Sequence, residues 1–164
     1  MPGSSVHVET FKVITVRVAL PSDRGFVLAE VVRLAAFGTP PGRTAGEIVE
    51  GEARTLRAFF DAPHAPETLL IAEEDGRPAG FIFLEEKQDY FTLKTHGHIG
   101  ILVVTREAEG RGVAAALMRS AEGWARARGY ETLTLGVFED NRRARTVYEH
   151  FGYRPDTVRY LKRL

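Results

Sequence analysis

The chain has no cysteine in its 164 residues. That absence excludes disulfides, thiolate metal sites and a cysteine nucleophile, so any covalent intermediate would need another side chain. A net charge is missing as well: 22 basic and 22 acidic residues cancel to +0 at pH 7. Nothing in that balance draws the chain to nucleic acid, and no nucleic-acid partner is expected. Long apolar runs are absent too. None approaches the roughly 20 residues of a membrane-spanning helix, and the first residues lack a signal-peptide apolar region. The expectation is a cytoplasmic protein with no membrane partner. No internal repeat, low-complexity tract or linker interrupts the chain.

What is present is an ordinary globular balance, 44% apolar and 27% charged residues, in a chain long enough for one core. Residues 1–9 are small and polar and read as a mobile lead-in; residues 10–164 read as a single domain. Ile14, Val16 and Val18 alternate and predict a strand. Pro21-Ser22-Asp23 opens a helix whose stripe is Phe26, Val27, Ala29, Val31 and Leu34. Gly and Pro make 38–46 a loop, and Ile48, Leu56, Phe59 and Phe60 mark a second helix over 46–61. Asp75-Gly76 joins two strands as a hairpin. A fourth strand ends at Val104. Val113, Leu117, Ala121 and Trp124 share one face of a helix over 112–128, which Gly129 closes. Leu133, Leu135 and Val137 predict a further strand, Asp140-Asn141 opens a short helix, and a last strand is expected over 153–163. The order is β-α-α-β-β-β-α-β-α-β, an α/β domain with a mixed central sheet.

The stretch between the fourth strand and its helix carries the most chemistry. A strand feeding a glycine-containing turn and then a helix makes an anion site. The first helical N–H groups have no internal partners, and the macrodipole adds about half a positive charge there. Gly110 and Gly112 let the backbone approach a ligand closely, and Arg111 adds a positive charge. Gly110, Gly112 and Ala115 also satisfy the G-x-G-x-x-G/A pattern of dinucleotide sites. A full dinucleotide fold has no room here: only about 50 residues follow Ala114, and the turn comes after the fourth strand rather than the first. A P-loop is excluded because no lysine follows the glycines.

Two motifs together resemble the Gcn5-related N-acetyltransferases (GNAT superfamily). Glu109-Gly110-Arg111-Gly112-Val113-Ala114 is similar to the family's Q/R-x-x-G-x-G/A turn. "EDNRRARTVYEHFGYRP" is similar to its N-x-x-A-x-x-x-Y-x-x-x-G-F/Y signature, through Asn141, Ala144, Tyr148, Gly152 and Tyr153. The resemblance covers nearly the whole element order. It implies the GNAT fold, with the fourth and fifth strands splayed around acetyl-CoA. It also implies acetyl transfer to a primary amine by direct attack in a ternary complex, with no metal. The cofactor-binding residues so implied are Leu102, Val103 and Val104 on the strand, Glu109 to Ala114 in the turn, and Asn141, Ala144 and Arg145 near the last helix. A homodimer is common in the family, and the last strand could support one. One departure stands out: Glu109 occupies the place of a Gln or Arg. By charge alone it predicts weaker coenzyme A binding, with Arg106 or Arg111 as the offset.

Acetyl transfer sets three demands. An alkyl amine of pKa near 10.4 must lose a proton, the thioester oxygen needs a donor, and a thiolate of pKa near 8.5 leaves more readily when protonated. Tyr148 is the candidate general acid; Asn141, Arg145 and Tyr148 share one side of their helix. His98 is ranked first as base, ahead of Glu85, Glu86 and His96, with a water chain to bulk as the alternative. His96 and His98 share a face but lack a third ligand, so no metal site is expected. Arg142 to Arg145 read as a solvated face or a contact to the 3′-phosphate of coenzyme A. The acceptor cleft is expected among Phe37, Pro40, Pro41, Phe59, Tyr90 and Phe91. A non-catalytic acyl-CoA-binding sensor is the rival reading, and Tyr148 is the residue that favours catalysis over it.

Overall fold

The computed structural model describes residues 12–164. The lead-in expected over residues 1–9 lies outside the described residues. The elements are β1 (Ile14–Val18), α1 (Arg24–Glu30), α2 (Ala45–Asp61), β2 (Thr68–Glu74), β3 (Arg77–Gln88), β4 (Thr95–Val104), α3 (Val113–Ala127), β5 (Leu133–Leu135) and α4 (Arg142–His150). Short 3-10 turns precede and follow α1, so the first expected helix forms in three pieces. The last piece begins at Val31-Val32, where two β-branched side chains weaken a regular helix.

Local chemistry explains most boundaries. Asp75 and Gly76 take positive φ angles of 51° and 77°, the two-residue turn that matches the twist of β2 and β3. Thr44 and Glu47 form a reciprocal cap at the start of α2, Glu47 N–H donating to Thr44 Oγ1 at 3.2 Å and Thr44 N–H to Glu47 Oε2 at 2.7 Å.

The five strands lie in sequence order, antiparallel except for the parallel pair β4–β5. Alternation along β2 to β4 divides the core into two layers. Leu70, Ile82, Leu84 and Ile99 pack against α3 through Leu117, Met118 and Ala121. Leu69, Ile71, Phe81, Phe83, Ile101 and Val103 pack on the other face with Val27 of α1 and Leu56 of α2. Ile99 and Ile101 would share a face in a regular strand. They do not, because Phe83 pairs with Ile101 and Leu84 with Ile99, which leaves Gly100 as an extra residue in a bulge. The bulge turns His98 and His96 towards the α1/α2 face.

β4 pairs with β5 only at Gly97–Leu133, His98–Thr134 and Ile99–Leu135. From Gly100 to Val104 the β5 side of β4 has no strand partner among the described residues, so the fourth and fifth strands are splayed as the resemblance implies. The last strand is a correction: residues 153–164 are in no strand. Pro155 removes a ladder donor there, β5 offers only three residues of edge, and Val158 and Tyr160 are left 70% and 92% exposed. The strand that a homodimer would use is therefore not formed.

Candidate active site

The anion cradle forms at the end of β4. Gly110 and Gly112 adopt φ of 74° and 90°, a left-handed conformation that side chains other than glycine's resist. Gly112 is also the N-cap of α3, and it brings no side chain to cap the helix. The first internal bond of α3 is Ala116 N–H to the Gly112 carbonyl at 3.0 Å. The N–H groups of Val113 and Ala114 thus begin the helix without a capping acceptor, beside the open edge of Leu102, Val103 and Val104. An open groove runs along this edge and is bordered across the splay by Asn141, Arg145 and Tyr148.

Arg111 does not turn into this cradle. Its guanidinium donates to Glu74 Oε2 at 2.8 Å, where Lys12 also binds at 3.2 Å. The β2–β3 hairpin thus takes the charge that the sequence assigned to the anion. Glu109 is likewise not offset by Arg106 or Arg111. Its two oxygens hold Arg33, from the turn after α1, and Arg143, from the first turn of α4, the latter at 2.8 Å. These two arginines, Arg143 first, keep the Glu109 carboxyl below the usual carboxylate range. Both guanidinium groups also stand over the Phe37 ring, 5.8 and 5.6 Å from its centroid. Arg33 Nε donates to the Val104 carbonyl at 3.0 Å, which ties this cluster to the end of β4.

On the far side of the splay, α4 is capped by Asn141, whose Oδ1 accepts from Ala144 N–H at 3.1 Å. The side-chain oxygen of Asn141, one of the residues implied for the cofactor, is therefore engaged in the helix start. Arg145 donates to the Glu139 carbonyl at 3.2 Å. Tyr148 packs on the α3-side core and meets Tyr153 edge-on at 6.3 Å. Burial pushes the Tyr148 phenol up, so it holds its proton at neutral pH. Burial also pushes Tyr153 up to about 12, and its buried hydroxyl has no partner among the described residues.

The α1/α2 face carries a different row. Glu85, His98 and Thr134 stand abreast on β3, β4 and β5. His98 Nδ1 and Thr134 Oγ1 are 2.8 Å apart, and the threonine hydroxyl donates to the Gly97 carbonyl at 3.5 Å. The 2.8 Å contact fixes the orientation of the ring, and the imidazole tautomer sets which of the two groups donates. Burial above all, and then Lys87, push His98 down from 6.5 to about 4. Lys87 is paired with Glu85 at 3.1 Å. Glu52 of α2 overlooks the same row; burial pushes its carboxyl up, and Glu85 adds to that. Glu86 points to the opposite face, where Tyr130 donates to it. Among the expected cleft residues, Phe59 is core, packed edge-on against Phe83 at 5.6 Å. Tyr90 and Phe91 stand 86% and 83% exposed at the β3–β4 tip. Phe37, the Pro40–Pro41 loop and Tyr90 border the groove.

Sequence reasoning missed Arg33, Thr134 and Glu52. It had Arg143 only as part of a basic run. Among the described residues no group of three or more His, Asp or Glu could hold a metal, and no helix is long and apolar enough to cross a membrane.

An uncapped helix start beside a splayed strand is a shape and charge arrangement that suits an elongated, phosphate-bearing ligand. Residues 37–153 match the acetyltransferase (GNAT) family model, and the chain belongs to that family. It is 35% identical over 89 residues to the Bacillus subtilis (strain 168) protein named "Uncharacterized N-acetyltransferase YhfO", covering 54% of this chain and 60% of that one. It is 33% identical over 162 residues to a mycothiol acetyltransferase of Stackebrandtia nassauensis, covering 92% of this chain and 48% of that one. The chain thus spans about half the length of these curated relatives. Among solved structures, the aminoglycoside N-acetyltransferase AAC(6′)-Iy in complex with CoA superposes with a TM-score of 0.70 at 18% identity, over 96% of this chain and 99% of that one. A putative acetyl transferase from Pyrococcus furiosus gives 0.71 at 20% identity, over 93% of this chain and 100% of that one. These two share the fold.

Proposed function

We propose that the chain is an acetyl-CoA-dependent N-acetyltransferase acting on a primary amine by direct attack in a ternary complex. The observation that carries this reading is the unpaired Gly100–Val104 edge of β4 running into the uncapped N–H groups of α3. Those features fit acetyl-CoA: backbone groups along Leu102–Val104 suit its amides, and the N–H groups of Val113 and Ala114 suit its pyrophosphate. When bound, acetyl-CoA would supply an activated thioester carbonyl and a thiolate leaving group. The chain's own residues supply proton transfer and orientation. Tyr148, protonated at neutral pH, donates to the departing sulfur. His98, its ring oriented by Thr134, is held down to about 4 and is too weak a base for a free ammonium, so it accepts the proton only once attack on the thioester has made the nitrogen acidic, and passes it to bulk water. The two side chains stand on opposite faces of the sheet, bordering the same groove.

The names of the mycothiol acetyltransferase relatives support a small-molecule amine as acceptor. The test is calorimetric titration with acetyl-CoA, followed by thiol release across a panel of amines. Binding together with amine-dependent thiol release is expected; no binding at millimolar ligand overturns the reading, and binding without release from any amine favours a sensor. Tyr148→Phe is expected to lower kcat by about 10²-fold, the scale of one general acid, with acetyl-CoA affinity unchanged. Equal rates for variant and parent at saturation remove Tyr148 from the mechanism.

A further inference from the structure

We infer that Glu109 is a positioning residue, which holds Arg33 and Arg143 as a pair of phosphate-binding cations at the mouth of the cofactor groove. The inference rests on the coenzyme A reading above and reverses what charge alone implies for this residue. A free carboxylate at the first position of the turn would repel a pyrophosphate. Glu109 is not free: each of its oxygens is matched to a different guanidinium. One carboxylate and two guanidinium groups leave a net positive cluster beside the uncapped start of α3.

The two arginines differ in what they have left to offer. Arg33 is largely covered, with 17% of its side chain exposed, and it also donates Nε to the Val104 carbonyl. Arg143 is 59% exposed, and Glu109 is its only ion-pair or hydrogen-bond partner among the described residues. Its remaining N–H groups form a planar fork suited to a phosphate. Its position calls for an anion as well. A cation in the first turn of α4 faces the positive end of that helix's dipole, which disfavours it unless negative charge is near. Glu109 supplies that charge in the free protein, and a phosphate adds to it in the complex. Phe37 completes the arrangement as a shelf under both planes. Three segments far apart in the chain therefore meet at the groove mouth, and each supplies a planar or charged group of the same cluster.

The experiment is calorimetric titration of coenzyme A and of 3′-dephospho-coenzyme A. The proteins are the parent, Glu109→Gln, Arg143→Met and the double variant, each with its melting temperature recorded. Glu109→Gln is expected to weaken coenzyme A binding about tenfold, within the range for partners in one network. Repulsion relieved would instead tighten it. In the Arg143→Met background the same change is expected to cost little, because the cation it positions is gone. Glu109→Asp, which keeps the charge, is expected to recover part of the loss. If Arg143 serves the 3′-phosphate, the parent loses affinity for the dephospho ligand and Arg143→Met does not; if it serves the pyrophosphate, Arg143→Met loses equally for both ligands. Unchanged or tighter binding by Glu109→Gln, or additive losses in the double variant, overturns the inference and leaves the coenzyme A reading intact. A parent that binds no coenzyme A at millimolar concentration overturns that reading, and the inference falls with it.

Discussion

Gly112 and His98 show how single residues commit the site. Gly112 has φ of 90° and caps α3 with no side chain. Gly112→Val is expected to lower stability by about 1–3 kcal/mol, because a β-branched residue is held in a left-handed conformation. It is also expected to weaken acetyl-CoA binding by crowding the cradle. Thermal melting and calorimetry check the two effects separately, and unchanged affinity in a folded variant would refute the placement of the turn. His98 carries a pH signature. Its imidazole takes up a proton near 6.5 when unfolded but only near 4 in place. Between those values the unfolded chain binds more protons, so this residue's contribution is complete above pH 6.5 and is lost as pH falls towards 4. His98→Gln is expected to flatten the decline of stability across that window, read from urea midpoints. The turn glycines and the Asn141 helix cap were legible from short motifs, because each acts on its neighbours in sequence. The partners of Arg111 and Glu109 were not, since Glu74 lies 37 residues from Arg111 and Arg33 lies 76 from Glu109.

At the scale of elements, the first turn of the domain depends on a half-buried ion pair. Arg17 of β1 grips Asp23 in two-point fashion at 2.7 and 2.9 Å, and Asp23 also accepts from Leu20 N–H at 2.7 Å. The Arg17 guanidinium holds the Asp23 carboxyl below its ordinary 3.8. The pair therefore stabilises fully above that value, and the contribution disappears as pH falls through the lower folded one. Asp23→Asn is expected to cost about 2–3 kcal/mol in urea unfolding, short of the roughly 3–5 of fully buried pairs, because Arg17 is 32% exposed. A loss under about 0.5 kcal/mol, the scale of an ordinary surface change, would show that the pair is ornamental. Periodicity and caps made most elements legible. The Asp75-Gly76 hairpin and the α2 stripe followed from local rules. The last strand expected over 153–163 did not form, because a strand requires a partner edge and Pro155 removes a ladder donor.

For the whole molecule, the splay between β4 and β5 is the feature that function uses. A ligand bound there joins elements that otherwise share only three residue pairs. Acetyl-CoA at one hundred times its Kd is expected to add about 2.7 kcal/mol of stability, or roughly 5–10 °C in Tm for a chain of this size. NAD at the same concentration is expected to give no shift, and an equal shift from NAD would revive the dinucleotide reading of Gly110, Gly112 and Ala115.

The amino-acid order by itself determined the element sequence as far as α4, the anion turn with its two glycines and the family signature around Tyr148. These depend on dihedral preference, side-chain period and short spacing, all properties of neighbouring residues. Only the tertiary structure decided that Arg111 turns to Glu74, that Gly100 forms a bulge swinging His98 to the α2 face, and that Glu109 lies between two arginines above Phe37. Those outcomes depend on which distant segments meet, and charge and burial act through space without regard to position in the chain.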